Sequence, residues 1–272
     1  MHFRQTKLQR VRGHPRYIVA MTELPKLPKR LARPTIYEAV FEMRFSNRQP
    51  RSSSILPGLL YSKLGGLFPN SEELPLASMP PEFRGQNELL AYQPTHALSG
   101  ERKRLMVGQR SMGVSLVRPY PGWAEFKDLV LMCAGALLAT PFVDEVERCS
   151  LKYTNLLSEG RDVNDLSQLK VAIELNGFKL SAPGTALKAE IPHKGCLSIV
   201  QIFAGATVKL PGVTSATGDS GVMVDVDTIR TGPFSNAAAD LSESLELVHT
   251  TEKEIFFSLL TDDTLNRLGP EW

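Results

Sequence analysis

Thr35-Ile36-Tyr37-Glu38-Ala39-Val40-Phe41-Glu42-Met43-Arg44-Phe45 is the stretch from which the rest of the chain can be read. Tyr37, Ala39, Phe41, Met43 and Phe45 share one parity, while Glu38, Glu42 and Arg44 share the other. A period of two is the mark of a strand buried on one face only. Ser52-Ser53-Ser54 then offers a helix cap with Pro57 in the first turn, and Leu56, Leu60, Leu64 and Leu67 follow at helical spacing until Gly65-Gly66 and Pro69 end the run.

Downstream, residues 69–85 are rich in Pro, Ser and Glu and read as a surface loop. Two less regular strands are expected near 87–98 and 104–117, turning at Ser99-Gly100. Pro119-Tyr120-Pro121-Gly122 breaks the chain before a helix from Trp123 to about Ala139, striped by Phe126, Val130, Cys133 and Leu137. The second half reads alike. A strand is expected at 147–157, a short helix at 163–169 capped by Asp162, and strands at 187–191 and 197–203. Ala204 to Gly221 reads as a long exposed loop, followed by a strand at 222–229 and a long helix at 237–260. Leu241, Leu245, Val248, Ile255 and Leu259 mark the buried stripe of that last helix.

The expected class is therefore α+β. It has pseudo-duplicated halves, each ordered strand, helix, strands, long helix, with mainly antiparallel sheet packed against long helices. The halves would run from about 34 to 142 and from 143 to 272, in one domain over 21–272. Residues 1–20 stand apart. Arg4, Lys7, Arg10, Arg12 and Arg16 face no acid there, and taking these five charges from the net +2 of the 272-residue chain leaves −3. The basic balance belongs to this tail, expected outside the fold, with Met21 as an alternative start. It therefore says little about nucleic-acid binding.

The composition, 42% hydrophobic and 22% charged, is that of a soluble globular protein. The longest apolar run, Leu129 to Ala139, suits a buried helix rather than a membrane span. Cys133, Cys149 and Cys196 are odd in number, have no CxxC spacing and lie in apolar settings, so a reducing cytoplasmic location is expected.

Chemistry is concentrated in few places. No dinucleotide fingerprint, phosphate-binding glycine loop, nucleophile elbow or HExxH occurs, and His2, His14, His96, His193 and His249 are scattered. His249 is expected to be solvated on the polar side of the last helix, and His193 to belong to a turn. Asp225 and Asp227, two apart in a strand, share the face opposite Val222, Val224 and Val226. Two close carboxylates could hold a divalent cation or share a proton, and Lys152 and Asn155 would join them if the strands pair. Trp123 is either the anchor of its helix or a platform for a ligand. Lys152-Tyr153-Thr154-Asn155 could read a phosphate or carboxylate, and Arg102-Lys103-Arg104 is expected to be a solvated turn.

Several of these segments together resemble an uncharacterised, sporadically distributed family of bacterial proteins. They are residues 34–45, Pro119-Tyr120-Pro121-Gly122-Trp123-Ala124-Glu125-Phe126, Leu151-Lys152-Tyr153-Thr154-Asn155, Asp225-Val226-Asp227, Leu247-Val248-His249 and Phe256 to Thr261. Lys152 stands where that family more often shows Arg, a point charge in place of a planar fork. The resemblance runs from Pro34 to the C-terminus and implies no established activity. The expected function is a non-catalytic binding or regulatory protein, linked through that distribution to a defence or toxin–antitoxin type module. Its partner would be another protein or a small ligand, with no cofactor, no metal and no membrane. The candidate site is Trp123, Lys152, Tyr153, Asn155, Asp225 and Asp227. The alternatives are a metal-dependent hydrolase or nuclease built on Asp225 and Asp227, and a nucleic-acid-binding protein.

Overall fold

The computed structural model describes residues 26–49, 52–80, 83–84, 87–158, 165–181, 183–208, 218–234 and 237–272. The basic tail, Met21 and Asp162 lie outside the described residues, as does 209–217 within the expected long loop.

Nine strands form one sheet: β1 (Ile36–Ser46), β2 (Asn70–Glu73), β3 (Pro94–Gly100), β4 (Lys103–Gly108), β5 (Ser111–Val117), β6 (Glu145–Leu157), β7 (Ala186–His193), β8 (Cys196–Val208) and β9 (Asp219–Thr231). The spatial order is β7-β8-β9-β6-β1-β5-β4-β3-β2, every neighbour antiparallel. β1 and β6 pair at the centre, Phe41 opposite Leu151 and Ala39 opposite Tyr153. The alternation in β1 is realised residue by residue, with Tyr37, Ala39, Phe41, Met43 and Phe45 buried and the residues between them half-buried.

The principal helices are α1 (Ser52–Leu64), α2 (Trp123–Leu138), α3 (Ala237–Leu259) and α4 (Asp262–Leu268). α2 buries Phe126, Val130, Cys133 and Leu137, and α3 crosses β9 and β6. Thr261 caps α4, its hydroxyl accepting from the Thr264 amide.

The α+β expectation of repeated strand–helix–strands–helix halves packed against long helices is overturned. Strand outweighs helix, and a single nine-stranded antiparallel sheet carries the architecture. Several stretches differ from expectation, among them the loop expected at 69–85, where Asn70–Glu73 forms the edge strand β2 paired with β3. The helix expected near 163–169 is, among the described residues, one 3₁₀ turn at Leu166–Gln168, capped by Asp165. Residues 204–208 and 219–221 belong to strands β8 and β9 rather than to a loop, because Ala206, Thr207 and Val208 pair with Gly221, Ser220 and Asp219 in the ladder. Gly205, at φ +70°, takes up the β8 register shift between Phe203 and Ala206. The irregular strand expected at 104–117 is two strands, β4 and β5, and Glu88–Ala91 is a helical turn.

The buried apolar residues fall into two clusters. The larger holds Phe41, Phe45, Leu151, Tyr153, Cys196, Leu245 and Val248; the smaller holds Leu157, Val200, Val224, Val226, Ile255 and Phe256. Polar residues separate the two along each shared element. On α3 they are His249, Thr251 and Glu252, between Val248 and Ile255. On β6 the divider is Asn155, between Tyr153 and Leu157; on β8 it is Ser198, between Cys196 and Val200. Ser198 and Thr228, both fully buried, bond to each other at 2.8 Å. Buried polar groups of this kind are stable when they find partners.

Candidate functional site

The polar seam opens into a cavity of about 360 Å³. It lies among residues 28–36, the Pro119–Trp123 turn, β6 and the last turns of α3. That volume is in the range of small-molecule sites.

Gly122 sets the approach to the cavity. Its φ of 113° and ψ of 167° form a backbone conformation that glycine alone adopts readily, and Trp123 follows as the first residue of α2. The Trp123 indole stacks on the His249 imidazole, with ring centres 3.9 Å apart and planes inclined by 7°. Its N–H reaches both carboxylate oxygens of Glu246 at 3.2 Å, and Lys127 holds the same carboxylate at 2.7 Å. Trp123 is therefore a half-buried rim residue tied to α3 rather than a wholly buried core anchor.

Behind it, the Tyr120 and Tyr153 hydroxyls lie 3.0 Å apart, and the Tyr153 hydroxyl is 3.3 Å from His249 Nδ1. Burial pushes both phenols above their ordinary value. Burial, aided by the Lys253 charge and opposed by Glu246, lowers His249 to about 3. At neutral pH the two phenols and the imidazole are thus an uncharged hydrogen-bonding set. Thr35 donates to Asn155 Oδ1 at 2.8 Å, joining the segment before β1 to β6.

Glu252 is the chemically conspicuous group. It is 3% exposed and lines the cavity, and its Oε1 has no hydrogen-bond partner among the described residues. Burial raises it well above the ordinary carboxylate value; Lys253 opposes that rise and Asp225 adds to it. Lys253 is lowered by burial and donates to the Pro28 carbonyl at 3.0 Å.

The expected site residues are divided between the two faces of the sheet. Trp123, Tyr153 and Asn155 line the cavity. Lys152, Asp225 and Asp227 project from the other face, since Asp225 and Asp227 stand opposite Thr154 and Lys152 while Val226 stands opposite Tyr153. On that outer face Lys152 pairs with Asp225 at 3.6 Å, and Arg148 and Arg44 hold Glu42 at 3.2 and 2.6 Å. Burial raises both Asp225 and Asp227, against the opposing charges of Lys152 and Arg148 respectively. Among the described residues no cluster of three His, Cys, Asp or Glu side chains could hold a metal ion.

His249 corrects the expectation of a solvated side chain, being held between Trp123 and Tyr153. Tyr120, Glu252, Lys253 and Phe256 were absent from the expected site. For Glu252 and its neighbours on α3 the sequence signal was the break in the stripe: the core-facing positions after Val248 fall on Thr251 and Glu252, polar where Leu or Ile would continue the row. His193 does lie at a hairpin turn, and its Nε2 reaches Glu254 at 2.9 Å, so the turn is fastened to α3. Of the expected Arg102–Arg104 turn only Arg102 is in the turn; Lys103 and Arg104 open strand β4, where Arg104 pairs with Glu72. No protein-family model matches the chain, and no curated protein matches it. No helix among the described residues is long and apolar enough to cross a membrane.

Proposed function

We propose that this chain is a non-catalytic binding protein, of the kind that regulates or senses, with its ligand in the cavity beneath Trp123. The observation that carries the reading is Glu252, a buried carboxyl group with a partnerless oxygen in a cavity walled by aromatic rings. A group left in that state costs about 1–3 kcal/mol and is retained where something else completes it. The other polar groups at the cavity are suited to holding and orienting a ligand. Tyr120, Tyr153 and His249 are mutually hydrogen-bonded and uncharged at neutral pH. The cysteine thiols, by contrast, are buried, with Cys133 and Cys149 pushed to about 12, far from a reactive thiolate.

Equilibrium dialysis of the full chain against a metabolite extract, read by mass spectrometry, tests this directly. A small molecule should be retained, and Trp123 emission should change as it binds, with Trp272→Phe isolating that signal. A folded protein that retains nothing and shows no emission change would remove the reading.

A further inference from the structure

We infer that the cavity takes a small organic amine, bound as its ammonium ion, with the cationic head on Glu252 and the body against the aromatic wall. This rests on the binding reading above and names its ligand class.

Glu252 supplies the acceptor: Oε1 has no partner, the residue is 3% exposed, and no ion pair among the described residues joins it to a cation. The neighbouring cations are engaged elsewhere. Lys253 donates to Pro28 O at 3.0 Å, Lys29 donates to the Trp272 carbonyl at 3.0 Å, and Arg30 pairs with Glu271 at 3.8 Å. The walls supply the second requirement. Tyr120, Tyr153 and Phe256 line the same space, and the electron-rich faces of such rings attract a desolvated cation. A metal ion fits poorly, because hard cations take six or more oxygen ligands and the cavity offers one isolated carboxylate. An anion would meet that carboxylate directly. An alkylammonium brings a full positive charge, three N–H donors and an apolar body, matching carboxylate and rings together.

The inference has a pH signature. Burial favours the protonated form of Glu252, so an ammonium ion that pairs with the carboxylate must displace that proton. Amine affinity should therefore rise with pH. The other titratable or charged groups lining this cavity are Lys29, Arg30, Tyr120, Tyr153, His249 and Lys253, with Asp225 acting from across the sheet. A neutral probe of the same shape controls for pH effects on fold and shape, and Glu252→Gln, which keeps Lys253, separates the Glu252 proton from the Lys253 charge.

The probes are 2-phenylethylamine and its neutral isostere 2-phenylethanol, titrated calorimetrically into the full chain. The amine should bind about tenfold or more tighter than the alcohol at neutral pH, with the gap widening as pH rises. Glu252→Gln, which keeps the shape and removes the charge, should cost the amine about tenfold and leave the alcohol within about threefold. Alcohol binding equal to amine binding in the unaltered protein overturns the cation inference and leaves the cavity reading standing. Amine preference that survives Glu252→Gln places the amine elsewhere and also overturns it. Binding of neither probe, at concentrations that saturate small-molecule sites of this size, overturns both.

Discussion

The two faces of strand β6 differ by one residue in sequence and by nearly everything in chemistry. Tyr153 and Asn155 face the helices, where the Tyr153 hydroxyl and Asn155 Oδ1 are held by uncharged groups. Lys152 and Thr154 face outward beside Asp225, where the partners are charged. Each side also carries a carboxyl group raised by burial, and only one of them has a cation. Asp225 has Lys152 at 3.6 Å; Glu252 has none among the described ion pairs. Both faces hold partnerless buried carboxylate oxygens, Asp225 Oδ1 and Asp227 Oδ1 outside and Glu252 Oε1 inside, and what separates them is that, among the described residues, only the outer face has an ion pair to one of these carboxylates, Lys152 with Asp225. The side without an ion pair is where a cationic ligand has something to contribute.

The largest effect should separate adjacent residues. Tyr153→Ala removes a buried ring and the central hydroxyl of the Tyr120–Tyr153–His249 set, and should cost about 3–5 kcal/mol in urea unfolding. Lys152→Ala, one position away on the half-exposed face, should cost about 1 kcal/mol or less. Equal costs would contradict the assignment of the two faces.

Trp123→Ala should come next, at about 2 kcal/mol, since the indole is half-buried and contributes a stacked contact and a bond to exposed Glu246. The sharper readout is His249. With the indole gone, solvent reaches the imidazole and its pKa should climb from about 3 toward the ordinary 6.5. An NMR titration in which His249 stays depressed would show that Trp123 is not what shields it.

Much of the sheet was legible because its signal is local. Period-two alternation in 35–45 and the valine row opposite Asp225 and Asp227 assign faces without knowledge of any partner strand. What could not be read is which distant face comes to lie over which. Tyr120, Tyr153 and His249 are brought together by the fold, and nothing near any one of them in sequence announces the other two. The expectation of duplicated halves packed against long helices failed for a related reason. Gly, Thr and Ser between 204 and 221 resemble loop chemistry, and only the neighbouring ladder turns the ends of that stretch into strand. The stripe on α3 held the one neglected clue, a carboxylate at a core-facing position.

Glu252 supplies the third test. Its folded pKa is raised above the ordinary 4.5, so its contribution to stability is fully present below that pH and is lost as pH climbs through the folded value. Glu252→Gln cannot ionise and escapes that loss. Its stability relative to the unaltered protein should therefore grow with pH above about 4.5. His249 works in the opposite direction: lowered to about 3, it contributes fully above 6.5 and is lost as pH falls. The comparison should be made at each pH against the unaltered protein, so that the His249 effect cancels. A constant difference across that range would show that Glu252 ionises freely in the folded state.

The smallest effect belongs to the outer pair, and it decides whether that face is more than a polar surface. Asp225→Asn with Asp227→Asn removes two carboxylates that burial disfavours, and also removes the partner of Lys152. These changes oppose each other, so stability at neutral pH should stay within about 1 kcal/mol. The sign can be read from the pH dependence. Both folded pKa values lie above 3.8, so the pair's contribution is lost as pH rises past that value, and the Asn variant should gain on the unaltered protein over the same range. Millimolar Mn²⁺ should then leave the melting temperature of both proteins unchanged, because two carboxylates without a third ligand make a poor metal site. A rise in melting temperature with Mn²⁺ that disappears in the Asn variant would mean the native state binds the ion there. That result would reverse the comparison of the two faces. The outer face would become the one a ligand completes, and a metal-dependent hydrolase would become the activity to assay.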